Sequence, residues 1–144
     1  MPPAPIGTST HPSVYYVALD DGGTGGVRFG CNDSLVAVPL TTPSAGEPLE
    51  SSLHALLPGS PGGSAATPDG LYNALASSTL AFVSGYFDGA TVVVNLSGTV
   101  RPGGACDIPR IEAQLTHTAV AAVGATRAEI YVNGRSLSEV LSLK

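Results

Sequence analysis

Two cysteines, Cys31 and Cys106, are the residues of this 144-residue chain with the widest range of possible chemistry. A cysteine can act as a nucleophile, ligate a metal ion or form a disulfide. These roles predict, in turn, an enzyme, a metalloprotein and an exported scaffold. The neighbours of each cysteine in the sequence help to decide between the three.

A metal site needs ligands that this sequence does not cluster. Zinc sites take about four Cys or His ligands at short spacings, but neither cysteine has another cysteine or a histidine close to it. The three histidines, His11, His54 and His117, are dispersed along the chain. Asp20 and Asp21 of the segment DDGGTGG lack the further oxygen ligands of a calcium loop and fit a solvated turn. We expect no bound metal and no organic cofactor.

A nucleophilic role for Cys106 has one feature in its favour and two against it. The residue precedes a predicted helix, and a helix N-terminus favours the thiolate form of a cysteine. The adjacent Asp107 opposes a thiolate, and no dedicated general base is evident. A small hydrolase with Cys106 as its nucleophile therefore ranks third among the possible functions. We predict no catalytic residues.

A disulfide is the remaining role for the cysteine pair. Both cysteines follow glycine or small-residue turns beside regular elements, where two loops can meet. The two positions are 75 residues apart, and closing such a loop stabilises a fold by about 4 kcal/mol on the chain-entropy model. Disulfides persist in oxidising compartments. We predict a Cys31–Cys106 bond and an exported, extracytoplasmic protein.

The other polar side chains indicate surface positions. The glutamates fit helix ends or solvent-facing positions better than an acid–base pair around a cleft: Glu47, Glu50, Glu112, Glu129 and Glu139. Arg110, Gln114 and His117 fall on one polar face of the second predicted helix. That face fits either plain solvent exposure or contact with a partner, and the trio is a possible partner surface.

Composition and charge argue against several classes of protein. The chain is 43% hydrophobic and 12% charged, which is typical of a folded domain, and its length predicts a single one. Its apolar runs are far shorter than the roughly 18 residues of a membrane span. The net charge is −5 and the six basic residues are scattered. We therefore expect neither nucleic acid nor an anionic lipid surface as a partner.

The predicted elements place the cysteines beside regular structure. Hydrophobic patterns and turn signals predict strands, helices and one hairpin in this order: strands 13–21 and 34–41, helix 46–59, hairpin 79–98, helix 109–123 and strand 127–134. Asp88–Gly89 is the expected hairpin turn, Asp107 the expected cap of the second helix and Gly124 its end. The segment 135–144 fits either a short helix or a final strand.

This order of elements predicts an α/β (α+β) fold, a two-layer sandwich. One mixed sheet of about four or five strands should carry both main helices on one face. The leucine stripe of 49–57 and the stripe of Ile111, Leu115 and Ala119 should both face that sheet. Residues 13–144 form the domain, and the proline-rich residues 1–12 form a flexible lead-in or tether. That start lacks the features of a signal peptide, so we expect a signal or anchor segment to be absent from this chain.

Three segments resemble the GerMN domain family of sporulation and spore-germination proteins: LHALLPG at 53–59, LYNALASSTLAFVSGYFDGATVVVNLSG at 71–98 and IEAQLTHTAVAAVGATRAEIYVNGR at 111–135. The shared positions are mostly core residues and turns. The resemblance implies a fold like that of ring-building modules, in an exported or lipid-anchored bacterial protein. It carries over no catalytic residues.

The resemblance implies a non-catalytic interaction or scaffold module of the cell envelope, acting in sporulation, germination or envelope assembly. The partner is then an envelope protein of unknown identity. An envelope domain that binds a glycan or peptide in a pocket is the alternative. A partner surface predicts an exposed apolar patch or an open sheet edge. A ligand site predicts a concave pocket with convergent polar groups.

Overall fold

The structure is a computed structural model that describes residues 13–39, 48–57, 70–76 and 78–142. Within these residues the elements follow one another as β1 Ser13–Ala18, β2 Val27–Phe29, β3 Asp33–Pro39, α1 Pro48–Leu56, β4 Thr79–Phe87, β5 Thr91–Thr99, α2 Asp107–Val123, β6 Arg127–Val132, β7 Arg135–Ser136 and α3 Leu137–Ser142. The predicted lead-in 1–12 lies outside the described residues. The ambiguous segment after residue 134 forms both a strand, β7, and a helix, α3.

The described strands form two sheets. The smaller sheet has the antiparallel order β1-β3-β2. The larger sheet has the order β4-β5-β6-β7, with β5 and β6 parallel and the outer pairs antiparallel. The predicted α/β class with a mixed sheet is confirmed, but β1 and β3 do not join that sheet. The reason is local, because the second edge of β1 is already occupied by α2 and by residue 72.

The two long helices pack on the larger sheet, as the apolar stripes predict. α1 contacts β4, α2 contacts β5 and β6, and the two helices contact each other. Leu53, Leu56, Ile111 and Leu115 are fully buried in the shared core. Both helices also contact β1, so the helical layer connects the two sheets.

The ends of α2 differ in how well the sequence predicts them. Gly124 adopts a left-handed conformation with a φ of 73°, and its N–H donates to the carbonyl of Val120, which ends the helix as expected. At the other end Cys106 occupies the N-cap position, without a side-chain capping bond. Asp107 is buried and points inward, so its predicted role as a cap is corrected.

The β4–β5 hairpin forms around the predicted turn. The carboxylate of Asp88 accepts hydrogen bonds from the N–H groups of Ala90 and Thr91 at 2.9 and 2.8 Å. Gly89 has a φ of 101°, a conformation that favours glycine. Farther along β4 the pairing shifts between Phe82 and Ser84, which leaves Val83 as a bulge.

Candidate functional site

A disulfide joins Cys31, in the turn between β2 and β3, to Cys106 at the start of α2. The Cα atoms are 5.8 Å apart, within the range of about 4.4–6.8 Å that a disulfide accommodates. The chain has two cysteines and both are in this bond. Cys106 therefore has no thiolate to offer as a nucleophile while the bond is intact.

A buried ion cluster lies beside the disulfide. The guanidinium of Arg110 donates from Nε to Asp33 Oδ2 at 2.8 Å and from Nη1 to Asp107 Oδ1 at 2.9 Å. Tyr72 donates its hydroxyl to Asp107 Oδ2 at 2.8 Å, and its ring centroid lies 5.4 Å from the guanidinium carbon. We call these four side chains the Arg110 cluster. They connect β3, the segment 70–76 and α2.

The pKa shifts in the Arg110 cluster are those of groups that stabilise the fold and not of groups that transfer protons. The hydrogen bond from Arg110 is the main cause that lowers the pKa of Asp33, and a hydrogen bond from the N–H of Asp20 adds to it. Burial raises the pKa of Tyr72, and its hydrogen bond to Asp107 raises it further. Both shifts hold these groups in their ordinary charge states at neutral pH. A general acid or base needs the opposite kind of shift, toward the working pH.

The second edge of β1 is closed by side chains of α2 and by the segment 70–76. Tyr15 donates its N–H to Thr118 Oγ1 at 3.0 Å, and its carbonyl accepts from Gln114 Nε2 at 2.9 Å. Val17 exchanges two backbone hydrogen bonds with Tyr72, at 2.9 and 2.7 Å. We call this the sealed edge of β1. The backbone groups of Tyr15 and Val17 on this edge are thus paired without another strand.

The possible partner surface of Arg110, Gln114 and His117 is not a common exposed face. Gln114 is fully buried and also accepts from the N–H of Ala74 at 2.9 Å. The side chain of Arg110 is 16% exposed and lies in the Arg110 cluster. His117 alone is exposed, with its ring 5.6 Å from that of Tyr15. The correction has a physical reason: this polar face of α2 binds the backbone of β1 and buried carboxylates instead of water.

The acidic residues of the glycine-rich turn accept hydrogen bonds from side chains of the β2–β3 turn and of β3. Asp20 Oδ1 accepts from Asn32 Nδ2 at 2.9 Å, and Asp21 Oδ2 accepts from Ser34 Oγ at 2.8 Å. Among the described residues, no three Cys, His, Asp or Glu side chains come together as a set of metal ligands. His54 lies on α1 and packs against Phe82. His11 lies outside the described residues.

A groove of about 310 Å³ lies between α2, β6 and α3. Its two carboxylates already have partners. Glu112 accepts from the hydroxyl of Ser138 at 3.2 Å, and Glu129 accepts from Tyr131 at 2.9 Å and from Arg127 at 2.8 Å. Both carboxylates of the groove are therefore engaged with neighbouring side chains, and a small ligand would have to compete with these hydrogen bonds.

β4 ends the larger sheet, and the described residues place no strand on its second edge. Its last five residues, 83–87, are all exposed. Val83, Tyr86 and Phe87 are 60%, 64% and 39% exposed. They are three of the five exposed large hydrophobic residues in the described part of the chain; the other two are Leu19 and Val27. We call these three side chains, with the backbone of 83–87, the β4 edge.

β4 lacks most of the features that usually prevent an edge strand from pairing with a strand of another molecule. Its nine residues, TLAFVSGYF, include no charge and no proline, although a bulge interrupts the pairing at Val83. The inner face of the strand is covered, because a Cβ at Gly85 would overlap the side chain of Leu49 on α1. Of the exposed apolar side chains, Tyr86 lies on the face that points away from the helices, whereas Phe87, paired with the buried Val92, lies on the same face as Gly85 at the end of the strand.

Comparison with known proteins assigns the family. Residues 13–138 match the model of the Germane family, described as sporulation and spore germination. The chain belongs to the Germane family. The GerMN-type resemblance of the three sequence segments is thereby confirmed.

The fold of the Germane domain is also similar to a solved structure, the first GerMN domain of the sporulation protein GerM from Bacillus subtilis. The two have a TM-score of 0.61 and 18% sequence identity, over 92% of this chain and 89% of that one. At this identity the likeness shows the fold alone. A comparison with curated proteins finds no match. In the described part of the Germane domain, no helix is long and apolar enough to cross a bilayer.

Sequence reasoning missed two parts of the candidate site. It did not assign Asp33 and Tyr72 to a cluster with Arg110, because their partners lie far away along the chain. It predicted β4 as a hairpin strand without singling out its edge. One signal was present, since the strand lacks any charged residue over its whole length.

Proposed function

We propose that this Germane domain is a non-catalytic interaction module of a bacterial cell-envelope protein and acts outside the cytoplasm. The β4 edge carries the proposal. It combines an open strand edge with an exposed apolar patch, the two features expected of a protein-binding surface. Membership of a sporulation and germination family supports a role in one of those processes.

The Cys31–Cys106 bond supports the extracytoplasmic setting. A disulfide between a surface turn and a helix start persists where the surroundings are oxidising and is reduced in most cytosols. In this proposal the domain is exported and tethered to the membrane by another part of the full-length protein.

The absence of catalysis is proposed from how the polar groups are used. The Arg110 cluster, Glu112 and Glu129 each direct their hydrogen bonds to neighbouring protein groups. An active site needs polar groups that remain available to a substrate. The groove between α2, β6 and α3 does not favour the alternative function of glycan or peptide binding in a pocket, because its carboxylates are already hydrogen-bonded within the protein.

The test replaces the apolar patch in the full-length protein within its own organism. The double variant Val83→Lys/Tyr86→Lys adds two charges to the β4 edge without touching the core. We expect it to reproduce the phenotype of a gene deletion, although the protein accumulates normally and the purified domain keeps its melting temperature. Val27→Lys is the matched control, because Val27 on β2 is 68% exposed. A double variant that functions like the wild type would refute the proposal.

A further inference from the structure

We infer that the β4 edge binds the β4 edge of a second copy of this chain in an antiparallel, two-fold pair. The inference rests on the proposed function, because it names the partner of the same surface. Four strands end the two sheets of the described structure, and β4 differs from the other three. β1 has the sealed edge, while β2 and β7 have three and two residues. β4 has nine residues.

The charge distribution favours a second copy over an unrelated partner. The chain has a net charge of −5, so two copies carry the same net charge and repel each other overall. β4 has no charged residue, so the two strands themselves place no carboxylates opposite one another; the nearby Glu50 belongs to α1 and lies beside Gly85 on the helix side. Partners of a different kind are usually selected by complementary charge, which this strand does not offer.

The nearest carboxylate along the chain also fits this arrangement. Asp88 follows the last residue of β4, in the hairpin turn. In an antiparallel pair the two Asp88 side chains lie at opposite ends of the contact, where they are well separated. A parallel pair would bring them to the same end.

The geometry of the strand sets the centre of the pair. The bulge at Val83 interrupts the regular backbone, so the ladder between two copies is confined to residues 84–87. Tyr86 is paired with Val93, and its neighbour Gly85 with the buried Val94. Tyr86 therefore points away from the helices, because successive side chains alternate between the faces of a strand. In a two-fold pair both Tyr86 side chains lie on the same outer face, near the axis.

The proposed contact is small, which indicates a weak dimer. A ladder of four residues with three apolar side chains from each copy buries on the order of 1,000 Å² or less, at the lower limit for specific interfaces. We therefore expect a reversible dimer that forms in the micromolar range in solution. Tethering two copies to one membrane would raise their effective concentration and favour the pair.

The first experiment uses the absence of free thiols in this chain. Tyr86→Cys introduces one thiol near the proposed axis, and mild oxidation should link two copies rapidly. Val27→Cys is the control, since it places a thiol at a similarly exposed position on β2. Intact mass on non-reduced protein verifies that the native disulfide is retained. We expect cross-linking of Tyr86→Cys to be at least about tenfold faster, as a preformed contact provides a high effective concentration.

The second experiment is sedimentation of the wild type over a wide protein concentration series. The average mass should rise toward that of two copies and then level off, whereas Tyr86→Lys should remain a monomer and Val27→Lys should behave like the wild type. A wild type that stays monomeric, equal cross-linking rates for the two cysteine variants, or a mass that grows beyond two copies would each overturn the two-fold pair.

The two proposals fail differently. If the wild type is monomeric but Val83→Lys/Tyr86→Lys abolishes function in the organism, the second copy is the wrong partner and the interaction module stands. If the double variant functions normally, both the pair and the proposed function are refuted.

Discussion

β1 and β4 each lie at the end of a sheet, but the described residues pair the outer backbone groups of β1 and not those of β4. Backbone N–H and C=O groups on an outer strand need partners. Along β1 they receive them from Gln114, Thr118 and Tyr72. Along β4 the described residues supply no second strand, and Val83 and Tyr86 face solvent. The fold can therefore close an edge with side chains, and the β4 edge, which has no such closure among the described residues, is a candidate for interaction.

The sealed edge depends on the position of α2 beside β1. Two links hold the start of this helix against the smaller sheet, the Cys31–Cys106 bond and the Arg110 cluster. The comparison between the edges thus predicts that stability is concentrated on the β1 side. Substitutions on the β1 side should lower the free energy of unfolding. Substitutions on the β4 edge should alter only the association with a partner.

Arg110→Leu should have the largest effect. It leaves the carboxylates of Asp33 and Asp107 buried without their cation, which we expect to lower the free energy of unfolding by about 5 kcal/mol. Urea unfolding followed by circular dichroism measures the change. Arg127→Leu is the control, because its ion pair with Glu129 is exposed and should contribute about 1 kcal/mol or less. Equal losses in the two variants would mean that the Arg110 cluster is not a structural link.

Removal of the disulfide comes next. Cys31→Ser/Cys106→Ser should lower the free energy of unfolding by up to about 4 kcal/mol, because the unfolded chain regains the freedom of a 75-residue loop. The fold should remain recognisable by circular dichroism. Thiol titration of the air-purified wild type, before and after denaturation, provides the direct measurement. Two reactive thiols in both states would contradict the bond and remove the support for an extracytoplasmic location.

Gln114→Leu tests the sealed edge itself. The substitution keeps the approximate size of the side chain but leaves the carbonyl of Tyr15 and the N–H of Ala74 without their partner. We expect a loss of about 3 kcal/mol, since each buried polar group left unpaired costs about 1–3 kcal/mol. Hydrogen exchange should show faster exchange of the Ala74 amide than in the wild type. Unchanged exchange there would indicate that Gln114 does not hold the segment 70–76 against α2.

Acid should weaken the same region through Asp33. Arg110 lowers the pKa of this carboxyl in the folded state relative to the unfolded chain, whose value is about 3.9. The stabilising contribution is therefore present above about pH 4 and is lost as the pH falls through the folded pKa. Urea midpoints measured between neutral and acidic pH should decline less steeply in Asp33→Asn than in the wild type. Parallel acid profiles would exclude Asp33 as the responsible group.

Tyr86→Lys should have the smallest effect on stability. The side chain is 64% exposed and covers no core residue, so the free energy of unfolding should change by less than about 0.5 kcal/mol. The measurement is the same urea titration, at a protein concentration low enough to keep the wild type monomeric. A loss comparable to that of Gln114→Leu would show that the β4 edge is a part of the folded core.

Local features of this domain could be predicted from sequence. The leucine stripe of α1, the Asp88–Gly89 turn and the end of α2 at Gly124 each depend on residues close together in the chain. The inward turn of Gln114 could not be predicted, because a polar helix face looks alike whether it meets water or the backbone of β1. The position of β4 at the end of the larger sheet could not be predicted for a similar reason, because it depends on the parallel pairing of β5 with β6, which is distant in the sequence.

The shortness of β7 has a consequence for what a two-fold pair could become. Joining two copies through β4 would create a continuous sheet of eight strands, with a β7 at each outer end. Each β7 is the dipeptide Arg135–Ser136, too short and too polar to template a further strand. Neither end of the eight-stranded sheet would then accept a further strand. Assembly through this surface would therefore be self-limiting, and the same apolar strand that joins two molecules would not lead to a fibril.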